Sequence, residues 1–261
     1  MLTENFDAAS LDRTKWNDSE RWETGGFQAD SAWNPVPTTS AQASVAGGNL
    51  MLKARRTAGL PSGTTFTSAH LNTRGKFAIP GGVTSYTEAR LRIPSGKALL
   101  PQFWLLGNGD NSTGEGWPIN GEVDILEMAN NKYEAGSPYF SAWYPKDVYT
   151  NTPGTWLNAT HDTNPASFTK RPGLYDSWHT WGLYRSPERM DVYIDGQRVF
   201  TFLPNTSYMN GMPLPPMLFS NSMHVRLSLG VGGGWAGQGY TEPEYQEGDY
   251  GVQYVKVWQA T

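Results

Sequence analysis

Three carboxylates within six residues are the side chains of this chain best suited to do chemistry. Glu122, Asp124 and Glu127 lie in the run Trp-Pro-Ile-Asn-Gly-Glu-Val-Asp-Ile-Leu-Glu-Met at 117–128. The aliphatic residues between them favour a strand, from which acidic residues are normally depleted, so their presence needs a reason. A pair of carboxyl groups, one acting as acid and the other as nucleophile or base, is what hydrolysis of a glycosidic bond requires.

The strand must place these acids on one face for them to act together. Side chains alternate along a strand, so Glu122 and Asp124 point the same way and Glu127 has the opposite parity. A single bulge residue between Asp124 and Glu127 would return Glu127 to the acidic face, and bulges are over-represented beside active sites. We therefore predict a bulged strand that carries all three carboxylates on one side.

The spacing of the two glutamates leaves two stereochemical outcomes open. Four strand steps of roughly 3.3 Å separate their backbones by about 13 Å, and long side chains leaning inward shorten the distance between carboxyls. A separation of about 5–5.5 Å is typical of retaining glycosidases, and one of about 6.5–9.5 Å of inverting ones. Asp124 lies between the two. Like charges crowded on one face cannot all ionise cheaply, so we expect one group to stay protonated as an acid.

The acidic run has two other interpretations besides a catalytic one. The strand could simply face solvent with an acidic surface. Clustered carboxylates also suit calcium, although no loop in this chain has the spacing of an EF-hand.

Composition favours an all-β chain folded as one domain, which we expect to span 1–261. The 261 residues include 29 Gly and 18 Pro, and many short alternating runs are separated by turn signals. Met190, Val192 and Ile194 alternate before Asp195-Gly196, which predicts a hairpin with a second strand after it. We find no amphipathic helix longer than a turn or two, and no linker or repeat.

Charge and cysteine usage exclude several classes of partner. The net charge of −4 and the absence of a basic cluster argue against nucleic acid and anionic membranes. Zero cysteines exclude disulfides and thiolate metal sites. No apolar run approaches the roughly 20 residues that span a bilayer. We expect a monomer, secreted or associated with a cell wall, whose leader is not present in this chain.

The acidic run resembles the signature of glycoside hydrolase family 16 in its bulged, laminarinase-like form. Other segments resemble the family in the same order along nearly the whole chain: Glu4 to Asp7, Ala46 to Leu52, Thr67 to Phe77, Glu88 to Pro94, Pro101 to Leu106, Trp178-His179, Tyr193 to Gly196, Gly230 to Gly233 and Val252 to Gln259. The resemblance implies a β-jelly-roll, concanavalin-like sandwich of two curved antiparallel sheets with a concave substrate cleft.

The resemblance also implies a mechanism and an endo-acting, retaining hydrolase. Glu122 is expected to be the nucleophile and Glu127 the acid and base, with Asp124 orienting and tuning Glu122. No redox or organic cofactor is implied. Gln253 stands where the family commonly has an aspartate that ligates a structural calcium, which weakens the case for calcium on the convex face and leaves no predicted metal ligand.

Aromatic residues supply the candidate sugar contacts. The apolar face of a pyranose stacks on a π surface, and the chain has 11 Trp and 13 Tyr. The resemblance implies contacts at Trp104, Trp117 and Trp235. Trp143, which departs from the family pattern by replacing an imidazole near the acids, is a fourth candidate. Asn34 in the early loop is a further candidate. The alternative for each tryptophan is a place in the core.

The expected substrate is a β-1,3-glucan or a mixed-linkage β-glucan, because Trp-Pro before the acidic motif is laminarinase-like. Departures from the group at Trp143, Tyr86 and Ser228 fall where we expect substrate to be selected. They keep a galactan or agar-type hydrolase of the same family open. A transglycosylase of the family is also open, because transglycosylation and hydrolysis pass through the same covalent intermediate. From another class, a non-catalytic, lectin-like sugar-binding module is also open, because a jelly-roll alone does not decide function.

Overall fold

The computed structural model describes residues 1–18, 39–60, 65–108, 120–145, 159–163, 171–208 and 212–260. The strands within these ranges are, in chain order, β1 (Leu2–Glu4), β2 (Ala43–Ala46), β3 (Asn49–Arg56), β4 (Phe66–Thr67), β5 (His70–Asn72), β6 (Ser85–Arg92), β7 (Leu99–Gly107), β8 (Glu122–Glu127), β9 (Ser141–Pro145), β10 (Ala159–Thr163), β11 (Trp178–Ser186), β12 (Arg189–Ile194), β13 (Gln197–Phe202), β14 (Met223–Val231) and β15 (Gly248–Gln259).

The strands form two antiparallel sheets. The larger sheet has the order β13-β12-β11-β6-β15-β3-β2, with β1 also paired to β15 and β4 to β3. The smaller sheet has the order β10-β9-β8-β7-β14-β5 and contains the acidic strand β8 near its centre. The many crossovers between strands that are distant in sequence are those of a β-jelly-roll, so the predicted fold class is confirmed.

The core lies between the two sheets and fixes which residues of each strand face outward. In β6, residues at alternate positions are buried, with Ala89 and Leu91 inaccessible to solvent. In β7, Phe103 and Leu105 are fully buried in the same core. The residues between them on β7 therefore point to the opposite face of the smaller sheet. That outer face is the one on which we expect the substrate cleft.

Short turns rather than long helices connect the strands. The hairpin between β12 and β13 turns at Asp195 and Gly196, whose φ angles are 50° and 74°. Positive φ at both positions matches the twist of paired strands, which is why Asp-Gly favours this turn. The predicted hairpin is confirmed. The described α-helices are single turns, α1 (Met217–Ser220) and α2 (Gly233–Ala236).

One expectation about substrate selection is wrong. Tyr86 lies on β6, in the sheet that does not carry the acids, and points away from the core. Its hydroxyl donates to Glu88 at 3.1 Å, and its ring contacts those of Tyr193 and Trp258. The sequence pattern placed Tyr86 in a hairpin without revealing to which sheet that hairpin belongs.

Across the described ranges, no helix has the length and apolar character needed to cross a membrane.

Candidate active site

The acidic strand β8 contains the predicted bulge. Leu126 pairs with Phe103 of β7, and Asp124 pairs with the next residue, Trp104, so Ile125 is the extra residue. Ile125 is fully buried in the core between the sheets. The prediction of one bulge residue between Asp124 and Glu127 is confirmed.

The register brings the three acids onto one face. Across β7, Glu122 lies opposite Leu106, Asp124 opposite Trp104, and Glu127 opposite Gln102. These three β7 residues are two positions apart and share the face turned away from the core. Without the bulge, Glu127 would instead point with Phe103 into the core.

A glycine starts the strand directly before Glu122. Gly121 has a φ of 85°, a conformation that side-chain-bearing residues rarely adopt. A Cβ at this position would also stand 2.7 Å from Leu218. Glycine therefore allows the chain to turn tightly over α1 and to enter β8 with Glu122 as its first residue.

Asp124 is the most enclosed of the three acids, with no surface exposed to solvent. Burial raises the pKa of Asp124 to about 7 because its charged form loses hydration. The hydroxyl of Ser141 on β9 donates to Oδ2 and lowers this pKa, as do the neighbouring side chains of Glu122 and Trp143. Asp124 can thus hold a proton near neutrality and donate it in a hydrogen bond to a neighbour.

Glu127 is partly exposed on the outer face. Burial, followed by the charge of Asp124, raises the pKa of Glu127 well above its ordinary value. The side-chain amide of Gln102 donates to Oε1 of Glu127 at 2.8 Å and lowers the pKa. A glutamic acid that stays protonated near neutral pH is suited to donate a proton to a leaving group.

The buried acid predicts a pH-dependent effect on stability. The raised pKa of Asp124 favours the folded state below the ordinary pKa of an aspartate, and this contribution is lost as pH rises through the folded value. Asp124→Asn removes the titrating group. We expect its free energy of unfolding, relative to the wild type, to increase by on the order of 1–4 kcal/mol between pH 4 and pH 8.

Urea unfolding of both proteins at several pH values measures this difference. Glu88→Gln, a change of an acid on the outer face of the other sheet, is the control. A difference between Asp124→Asn and the wild type that stays constant over this pH range would contradict the assignment of a raised pKa to Asp124.

Trp104 and Trp143 flank the acids on the neighbouring strands. Trp143 is half-buried on β9 and lies directly opposite Glu122. Trp104 shares the outer face with Asp124 but is only 4% exposed, and its indole donates to Ser228 at 3.0 Å. The structure therefore places Trp143 where a sugar could reach it, whereas Trp104 forms part of the floor.

Trp235 is connected to Glu127 through Tyr139. It is half-buried in α2, packs against a small apolar cluster that includes Leu100, and donates its indole hydrogen to Glu134 at 2.5 Å. Its ring makes an edge contact with Tyr139 at 4.9 Å, and the backbone of Tyr139 exchanges two hydrogen bonds with that of Glu127. The remaining candidates, Trp117 and Asn34, lie outside the described residues.

Relatives of this chain are known. The chain is 30% identical over 210 residues to a glucan endo-1,3-beta-glucosidase of Cryptopygus antarcticus, covering 74% of this chain and 67% of that protein. The chain belongs to glycoside hydrolase family 16. This glycoside hydrolase is also 26% identical to a beta-glucanase of Rhodothermus marinus over 260 residues, 99% of this chain and 84% of that one.

A solved structure has the same fold. The laminarinase from Flavobacterium sp. UMI-01 superposes with a TM-score of 0.72 at 25% identity, covering 99% of each chain. A scan against protein-family models found no match.

Sequence reasoning missed several groups that surround the acids of this glycoside hydrolase. Gln102 and Tyr139 contact or adjoin Glu127, and Ser141 contacts Asp124. Strand alternation around Trp104 could have placed Gln102 on the acidic face. Tyr139 and Glu134 belong to the segment between β8 and β9, for which no periodic pattern exists.

The groups around Gln253 do not suit the binding of a calcium ion. Gln253 is the bulge residue of β15, and its side-chain oxygen accepts a hydrogen bond from Arg90 at 2.6 Å. A guanidinium in direct contact puts a positive charge where a hard cation would need anionic oxygen ligands. In the described part of the chain, no group of three or more His, Asp or Glu side chains is arranged so that it could hold a metal ion.

Proposed function

We propose that this family 16 glycoside hydrolase, as one domain over 1–261, cleaves internal linkages of a β-1,3-glucan or mixed-linkage β-glucan with retention of configuration. The observation that carries the proposal is the bulge at Ile125, which sets Glu122, Asp124 and Glu127 on one outer face of the smaller sheet. A groove across a sheet face suits endo action, since a polymer can lie along it without presenting a chain end.

The first step is proposed to form a covalent glycosyl–enzyme. A carboxylate oxygen of Glu122 bonds to the anomeric carbon while the bond from that carbon to the leaving oxygen breaks. Glu127 gives its proton to the leaving oxygen, which departs as a neutral alcohol. Asp124, protonated near neutrality because it is buried, can donate a hydrogen bond to Glu122 and so keep that residue ionised.

The second step reverses these roles. Glu127, now a carboxylate, takes a proton from water as the water oxygen attacks the anomeric carbon on the face that the leaving group left. The bond to Glu122 breaks, and its carboxylate is restored. Two inversions give net retention. A sugar hydroxyl in place of water would give transglycosylation through the same intermediate.

Two features support a neutral glucan as the substrate. Two of the curated relatives of this chain carry the names of a beta-glucanase and a glucan endo-1,3-beta-glucosidase. Arg226, on the outer face of β14, is 1% exposed and stacks over Trp104 at 4.8 Å, so its charge is not offered freely to a sulfated sugar. Because such a polymer lies outside cells, we propose that the protein is secreted or attached to a cell wall. We also propose that it is a monomer.

The test is a reducing-end assay on laminarin, lichenan, agarose, carrageenan and galactan, with a parallel measurement of viscosity. We expect hydrolysis of laminarin or lichenan, with viscosity falling well before most reducing ends appear, as internal cleavage requires. Nuclear magnetic resonance of the first product should show the β-anomer. Binding without hydrolysis of any of the five would favour a lectin, and activity confined to a galactan would overturn the substrate.

A further inference from the structure

Gln102 is a polar side chain on the same face as the three acids, and it takes no direct part in the two chemical steps. It lies on β7 directly opposite Glu127, is half-buried, and its Nε2 donates to Oε1 of Glu127 at 2.8 Å. Its neighbours on β7, Pro101 and Phe103, are buried. The backbone that carries the amide is therefore held in place by the core.

We propose that Gln102 is a positioning residue for Glu127: it fixes which carboxyl oxygen carries the proton and stabilises the carboxylate formed when that proton leaves. The inference rests on the proposed function, since it concerns the acid and base of the same reaction. It names a residue whose side chain acts on Glu127 and not on the sugar.

The donor chemistry of an amide gives this role its direction. The NH₂ group of Gln102 can only donate, so Oε1 of Glu127 must accept in both protonation states. The proton of the acid form is therefore on Oε2. When Oε2 gives that proton to the leaving oxygen, the hydrogen bond at Oε1 becomes charge-assisted and stronger. Gln102 thus contributes more after proton transfer than before it, which is the condition for accelerating the step.

Other titratable groups in the described part of the chain adjoin Glu127. On its own strand, Asp124 raises the pKa of Glu127 through its charge when it is ionised. From the segment after β8, the hydroxyl of Tyr139 is close enough for Glu127 and Glu134 to raise the pKa of Tyr139, so this phenol stays neutral. Gln102 is the neighbour that lowers the pKa of Glu127. Its removal should therefore leave Glu127 a weaker acid.

The experiment measures kcat and kcat/KM on laminarin against pH for the wild type, Gln102→Met and Gln102→Glu. Gln253→Met, the same substitution on the other sheet, is the matched control. We expect kcat of Gln102→Met to fall about tenfold near neutral pH with KM little changed. The alkaline limb of its kcat/KM profile should move to higher pH, because that limb reports loss of the proton from Glu127.

Gln102→Glu keeps the shape of the side chain and replaces the donor with a carboxyl, so its alkaline limb should move in the same direction even if the methionine variant folds poorly. An aryl β-glycoside with a nitrophenol leaving group, which needs little protonation, should lose less rate than laminarin. A rate loss in both variants without movement of the limb, or profiles that superimpose on the wild type, would overturn the inference. A wild-type protein that does not hydrolyse laminarin would instead contradict the proposed function.

Discussion

Replacing Glu122 by alanine is expected to lower kcat on laminarin by roughly 10⁴- to 10⁶-fold, the largest loss of any single substitution in this chain. Without its carboxylate, the enzyme cannot form the covalent intermediate, and water is poorly placed to attack from the same side. Glu122 is 6% exposed at the first position of β8, so the truncation removes an outer-face side chain without disturbing the core. Initial rates on laminarin and on an activated aryl glycoside measure the loss.

Azide added to the Glu122→Ala variant supplies the missing nucleophile, so it tests directly whether Glu122 has that role. A small anion fits the space left by the carboxylate and attacks opposite the leaving group, so the product is the α-glycosyl azide. Glu88→Ala is the control, since Glu88 is a strand glutamate on the outer face of the other sheet. Turnover of Glu122→Ala within tenfold of the wild type, without azide, would remove Glu122 from the role of nucleophile.

The arrangement of the acids could be predicted from sequence because local rules determine it. Strand periodicity puts Glu122 and Asp124 on the same face of the strand. Only an extra residue can bring Glu127 to that face. Ile125 provides that residue, and its burial in the core shows why an aliphatic side chain occupies the bulge. The Asp195-Gly196 hairpin was predictable for the same reason, since its turn chemistry is contained in two residues.

The surroundings of the acids depend on long-range pairing, which local rules do not reveal. Gln102 reaches Glu127 because β7 pairs with β8 in one particular register, and Tyr139 does so through a backbone bridge. Trp104 looked like a sugar platform, yet the packing of Ser228 and Arg226 around it leaves it 4% exposed. Tyr86 was assigned to the substrate face although its hairpin belongs to the other sheet.

The buried acids of this site lower the stability of the folded state. Burial of Asp124, and of Glu127 beside it, disfavours their charged forms and destabilises the folded chain as pH rises. The same burial keeps one carboxyl protonated as an acid while Glu122 reacts as a carboxylate. The large apolar core behind β8, which includes Val123 and Leu126, allows the fold to tolerate this penalty.

Glu127→Ala is expected to lower kcat by roughly 10²- to 10⁴-fold on laminarin and far less on an aryl glycoside whose leaving group has a low pKa. Laminarin releases a sugar alkoxide that must be protonated as the bond breaks, whereas a dinitrophenolate leaves without help. With the activated substrate, the intermediate on Glu122 still forms and then persists, because no base remains to activate water. A burst of phenol followed by slow turnover, recorded by stopped-flow absorbance, is the expected trace.

Azide distinguishes the two glutamates by the configuration of the product. In Glu127→Ala, azide needs no base, attacks the intermediate from the face that the leaving group vacated, and yields the β-glycosyl azide. The same anion gives the α-product with Glu122→Ala, so the pair of variants tests both assignments in one experiment. Equal rate losses on laminarin and on the dinitrophenyl glycoside, with no β-azide formed, would show that Glu127 does not act as the acid and base.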